Sequence, residues 1–111
     1  MAIKANIVID QGTDFEATID VSDSAGFPYD LTGYTVASQM RKNYASASAA
    51  ATFGCTHNEE AGQITLSLDK VYTSDLEPGR YLYDVEITSS GGSVIRVVEG
   101  TVNVTPGITR I

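Results

Sequence analysis

The sequence predicts an all-β protein in which about seven short antiparallel strands form two sheets packed face to face. Three observations carry that expectation. Apolar and polar residues alternate at a period of two in one stretch after another, the pattern of strands with a single buried face. Clusters of Gly, Pro, Asp, Asn and Ser separate those stretches. The apolar 42% of the 111 residues is mostly Val, Ile, Leu and Tyr, and Thr is plentiful, a mixture that suits a pleated, half-buried surface better than a helix. A small closed barrel is the alternative arrangement.

Taken in order, Ile3, Ala5, Ile7 and Ile9 share one face of a first strand, and Phe15, Ala17, Ile19 and Val21 one face of a second. Asp10 to Asp14 turns between them. Ser22 to Asp30 reads as a loop, and Leu31-Thr32-Gly33 leads into a third strand over Tyr34 to Lys42. The Ala- and Ser-rich run from Tyr44 to Thr52 reads as a surface excursion. Thr52 to His57 and Gln63 to Leu68 read as the fourth and fifth strands, and Asp69 to Pro78 as a crossover with room for one helical turn. Tyr81 to Thr88 is a sixth strand, joined by the hairpin loop Ser89 to Ser93 to a seventh, Val94 to Val104, in which Gly100 predicts a bulge or bend. The whole of 1–111 reads as one domain, with 105–111 as a docking arm in which Pro106 ends the sheet.

The segment Leu76-Glu77-Pro78-Gly79-Arg80-Tyr81 makes the prediction more specific. Pro78-Gly79 suits a tight turn at the sandwich edge, and Leu76 can plug the core before it. Tyr81 can bury its ring and return its hydroxyl to upstream backbone. That is the tyrosine corner of immunoglobulin-like sandwiches, and it explains a tyrosine where a phenylalanine would pack equally well. In Asp30-Leu31-Thr32-Gly33, Asp30 suits an Asx turn, Leu31 points inward and Gly33 takes a left-handed conformation. All of these residues have structural duties.

The order of these pieces carries a resemblance. Gly12 and Phe15, then Asp30-Leu31-Thr32-Gly33, then Gly62-x-Ile64-x-Leu66-x-Leu68, then the Leu76 to Val85 run, then Gly100-x-Val102-x-Val104-x-Pro106 with Thr109-Arg110, resemble small immunoglobulin-like modules of tailed bacteriophages. The N-terminal domains of baseplate upper proteins are of this kind. The resemblance implies a non-catalytic virion structural protein of tail, baseplate or capsid decoration, made in the host cytoplasm. Its implied partners are other virion proteins or further copies of the same chain.

Charge and composition narrow the function classes. Fourteen acidic and seven basic residues leave a net charge of −7, and only Arg41-Lys42 are adjacent cations, so the expected partners exclude nucleic acid. No run of apolar residues approaches membrane-spanning length. Cys55 is the only cysteine and rules out an intrachain disulfide. Cys55 and His57 lie two apart on a predicted strand and share a face, but no third residue orients them as a catalytic pair. One Cys and one His cannot fill a structural zinc site. Asp20, Ser22, Asp23, Ser24 and Asp30 offer oxygens around one loop at spacings unlike a calcium-binding helix-loop-helix. No cofactor is expected.

Function is therefore sought on the surface. Ile3 to Ile9 and Val94 to Val104 are the candidate sheet edges, and Ile3, Ile108, Arg110 and Ile111 the candidate interface residues. Tyr29, Tyr44 and Tyr72, placed in loops, suit either a protein interface or an adhesive, carbohydrate-binding platform, which is the rival class of function.

Overall fold

A computed structural model describes residues 3–22, 25–58 and 60–108 of the chain. Its strands are β1 (Ile3–Lys4), β2 (Ile7–Asp10), β3 (Phe15–Asp20), β4 (Thr35–Arg41), β5 (Ala51–Thr52), β6 (Gly54–Asn58), β7 (Gln63–Leu68), β8 (Gly79–Thr88) and β9 (Val94–Thr105). One helical turn, α1 (Lys70–Thr73), sits in the crossover and is capped by the Asp69 carboxylate, which accepts from the Val71 amide at 2.9 Å. The strands form two sheets. One runs β1-β9-β8-β4-β5 with β2 also on β9, and the other runs β3-β7-β6. This is an immunoglobulin-like two-sheet sandwich.

Seven passes of the chain become nine strands because two passes are interrupted, each for a physical reason. β5 pairs with β4 through Gln39 and Met40, and the Phe53 amide then donates to the Ser38 carbonyl at 3.0 Å. Beyond Phe53 the same run joins β7 in the other sheet. The buried Phe53 ring is the pivot of this change of sheets, packing on Phe15 at 5.9 Å and Tyr83 at 6.2 Å between centroids.

The other interruption lies at Ala5-Asn6, between β1 and β2. The register against β9 stays constant across it, Ile3 opposite Val98 and Ile7 opposite Val102. At the gap the Ala5 carbonyl accepts the Tyr83 hydroxyl at 2.6 Å, and the Asn6 side-chain oxygen accepts the Thr101 amide at 3.2 Å. Room for the Ala5 carbonyl exists because residue 100 is glycine, for a Cβ there would overlap that oxygen. Gly100 thus permits close approach of another backbone. The expected bulge is elsewhere, where the pairing slips between Val85/Val98 and Glu86/Arg96 and leaves Val97 as the extra residue.

Two further expectations are corrected. Pairing is not wholly antiparallel, since β1 and β2 run parallel to β9. Nor is Val94 to Val104 an edge, because β9 lies between β8 and the β1/β2 pass over most of its length.

The core is filled by Ile9, Leu31, Met40, Ile64, Leu66, Val85, Ile87, Val98 and Val102, all fully buried. Each such aliphatic side chain contributes about 1.5–3 kcal/mol relative to exposure. The buried polar groups among the described residues are satisfied: the Ser38 hydroxyl donates to the Asp84 carbonyl at 2.6 Å, and the Thr73 hydroxyl to the Thr13 carbonyl at 2.7 Å. Burial pushes the Tyr83 phenol up from 10.0 to about 12. The neutral form is therefore the one the fold favours, and its stabilisation is complete below pH 10 and lost as pH rises toward 12. Denaturant titrations should show stability falling across that window, with a shallower fall in Tyr83→Phe; identical profiles would refute the assignment.

Candidate functional site

The Pro78-Gly79 corner sets the start of β8 and so the whole outer face of the larger sheet. Gly79 takes φ +140° and pairs with Val104, while Leu76 is buried just before it. The Tyr81 hydroxyl donates to the Glu77 carbonyl at 2.8 Å, the geometry of a tyrosine corner. Burial raises the Tyr81 phenol's pKa, and the Lys42 ammonium lies 4.6 Å above its ring. Tyr81→Phe should cost about 1 kcal/mol in chemical denaturation, the usual net loss for one such hydrogen bond; an unchanged midpoint and slope would refute the corner. Leu31 is fully buried, Gly33 holds φ +78°, and the Tyr34 amide donates to the Leu31 carbonyl at 3.0 Å. Leu31, Gly33, Leu76, Pro78, Gly79 and Tyr81 thus position strands.

Above that scaffold, the outer faces of β4, β8 and β9 line a shallow groove of about 530 Å³. The bulge at Val97 shapes it. Without an extra residue, Arg96 would share the inward face with Val98; with it, Arg96 turns outward. There its guanidinium meets the Asp84 carboxylate at 3.1 Å and Glu99 at 3.2 Å, and Lys4 meets Glu99 at 3.1 Å. Asp84 and Glu99 are directly opposite across β8 and β9, so these two cations offset what would otherwise be repulsion. Lys4 first and Arg96 second hold the Glu99 carboxyl below its usual range.

Two further cations in the groove have no carboxylate partner among the described residues. Arg41 donates to the Ser46 carbonyl at 3.1 Å and to the Gln39 side-chain oxygen at 2.9 Å. Arg80 stands two residues before Leu82, which pairs with Arg41 across the β8-β4 ladder. Arg41 and Arg80 are therefore diagonal neighbours on one face, about 7–8 Å apart at the backbone, with half-buried Leu82 between them. Tyr44 stands at the same end of the groove. Their convergence depends on register, which alternation alone did not supply.

A second feature is one end of the sandwich. The turn Gln11 to Asp14, the excursion after Arg41, α1 and the segment following Thr105 all gather there. Lys70 N donates to the Asp14 carboxylate at 2.9 Å, Gln11 donates to the Leu76 carbonyl at 2.9 Å, and the Gly107 amide donates to the Gln11 side chain at 3.1 Å. The end displays Tyr44, Val71, Tyr72 and Ile108, which are 87%, 64%, 62% and 94% exposed. Ile3 lies away from it, on the outer strand β1 and 40% exposed. Arg110 and Ile111 lie outside the described residues. Val71, on α1, is absent from the sequence candidates and joins this set through its exposure alone.

Other candidates resolve into structure. Tyr29, expected as a free loop ring, packs edge-on against Tyr34 at 6.0 Å with their hydroxyls 3.5 Å apart, so it belongs to the core margin. Asp30 accepts from the Thr32 hydroxyl at 2.7 Å and the Thr32 amide at 3.0 Å, which lowers its pKa and makes the expected Asx turn. Asp20 accepts from the Gln63 side chain at 3.1 Å. Asp23 and Ser24, part of the same calcium candidate, lie outside the described residues. No group of three His, Cys, Asp or Glu side chains suited to a metal ion occurs among the described residues. Burial pushes the Cys55 thiol up, the direction opposite to what a thiolate nucleophile needs.

No family profile matches the chain, and no curated protein matches it. Solved structures do. The GspB Siglec domain superposes with a TM-score of 0.53 at 15% identity, covering 92% of this chain and 54% of that one. CopC from Methylosinus trichosporium OB3b gives 0.51 at 13% identity, covering 96% and 90%. An internalin-like protein of Listeria monocytogenes gives 0.52 at 20% identity, covering 94% of this chain and 28% of the other. The chain thus spans about half of the first of these and under a third of the last. At such identities the likeness shows the fold alone: an immunoglobulin-like β-sandwich.

Proposed function

We propose that this chain is a non-catalytic structural protein of a tailed-phage particle, engaging neighbouring virion proteins through the end that carries Tyr44, Val71, Tyr72 and Ile108. The observation that carries this reading is that end itself. Three separate segments bring four large, well-exposed apolar or aromatic side chains to one pole of a body measuring 43 × 28 × 22 Å. Exposed apolar residues scattered singly need no explanation, whereas a gathered set marks a contact surface. The sequence resemblance to phage sandwich modules supports the choice of a virion as the setting.

The mechanism is mechanical. The Tyr81 corner, the Tyr83 to Ala5 hydrogen bond and the Phe53 pivot make a rigid spacer, and a rigid element loses little conformational entropy when a neighbour docks. Quantitative mass spectrometry of purified phage particles encoding this chain tests the setting. A fixed copy number relative to the major structural proteins is expected. Absence from particles, with the chain found only free, would overturn it.

A further inference from the structure

The outer-face groove shares only Tyr44 with that end and has a different chemistry. Four of the chain's seven cations line it (Lys4, Arg41, Arg80 and Arg96), against three of its fourteen carboxylates, leaving three cations and eleven acids for everything else. In a protein of net charge −7 it is the cationic region. Lys4 and Arg96 are committed to Asp84 and Glu99. Arg41 and Arg80 are not committed to any carboxylate among the described residues.

We propose that this groove binds an acidic saccharide, with Arg80 and Arg41 holding its carboxylate while Leu82 and Tyr44 cover an apolar face of the sugar ring. The proposal goes beyond the assembly role and does not depend on it. A guanidinium presents a planar fork of donors that suits a carboxylate, and two of them on diagonal positions can grip it from both sides. The Tyr44 ring is exposed beside them, and an aromatic face is suited to the C–H side of a pyranose. Asn6, Asn43, Gln39 and Thr101 add amides and a hydroxyl around the groove, which match sugar hydroxyls.

Two competing ligands fit less well. A phosphate group can meet the two guanidiniums but has no C–H face to set against Leu82 and Tyr44, so it would use only part of the groove. An acidic peptide would bury an interface whose centre normally holds several apolar anchors, and here Leu82 is the one aliphatic side chain on the floor. The apolar anchors of this protein are gathered at its end.

Nuclear magnetic resonance titration of the whole chain tests the proposal. The probes are a sialylated trisaccharide, a glucuronate-containing disaccharide, neutral lactose, inorganic phosphate and a short Asp/Glu peptide, each at millimolar concentration. Shifts confined to Arg41, Arg80, Leu82 and Tyr44 with one or both acidic sugars, and none with lactose, are expected; the first two probes separate sialic from uronic acids as the source of the carboxylate. Arg80→Gln should weaken that binding at least tenfold with an unchanged melting temperature, and Tyr44→Ser should weaken it without changing the preference for acid over neutral sugar. No shifts with either acidic sugar, binding unchanged in Arg80→Gln, or equal shifts with phosphate or peptide would each overturn the proposal.

Discussion

Gly100→Ala should lower the free energy of unfolding by about 2–4 kcal/mol, from overpacking together with a lost buried hydrogen bond. The added methyl would overlap the Ala5 carbonyl oxygen and lie 2.8 Å from its carbon, so the β1/β2 pass must move off β9. Moving it removes the acceptor of the Tyr83 hydroxyl, which is otherwise buried. The damage should be local at first. Hydrogen exchange should quicken at Ala5 and Thr101, whose amides donate to Glu99 and Asn6, before it quickens in β7. Wild-type stability in the alanine variant would mean that Ala5 does not lie against residue 100.

Gly62→Ala should have an effect of similar size, again about 2–4 kcal/mol, from backbone strain and steric overlap. Gly62 has φ +64°, and a Cβ there would sit 2.7 Å from both the Tyr29 amide nitrogen and the Val21 carbonyl oxygen. Those atoms hold the loop together: Val21 N donates to Gly62 O at 2.7 Å, and Tyr29 N donates to Val21 O at 2.9 Å. Gly33→Ala is the internal comparison. Gly33 also has positive φ, but nothing lies within 4 Å of its added carbon, so only the conformational cost of about 1–2 kcal/mol applies. Denaturant melts in which Gly62→Ala cost no more than Gly33→Ala would show that the loop does not close on Gly62.

The sequence made the strands legible because each buries one face, and alternation records that directly. Tyr81 and Leu76 were legible for a similar reason: a tyrosine and an apolar plug flanking Pro78-Gly79 leave few other arrangements. What alternation does not encode is which strand lies beside which. The parallel pairing of β1 and β2 with β9, and hence the central place of β9, depends on a contact between residues 95 positions apart in sequence. Gly100 signalled an irregularity correctly but not its kind, since a bulge and a close backbone approach call for the same residue.

The groove was hidden for a related reason. Read along the strand, Arg96 falls in step with Val98 and Val94, and only the extra residue at Val97 turns it to the face that carries Asp84. Arg41 and Arg80 are 39 positions apart and meet through the β4-β8 register. Likewise, Tyr44, Tyr72 and Ile108 were visible as exposed residues from sequence, but not as occupants of one end.

That shared end is where the account is most open to test. The direct measurement is the copy number of the chain in purified particles assembled with Val71→Ser, Tyr72→Ser and Ile108→Ser together, compared with wild type. All three side chains are exposed, so the variant should melt at the wild-type temperature. At least a tenfold loss of incorporated copies is predicted; a folded variant incorporated at the wild-type level would contradict the claim that this end joins the protein to its neighbours.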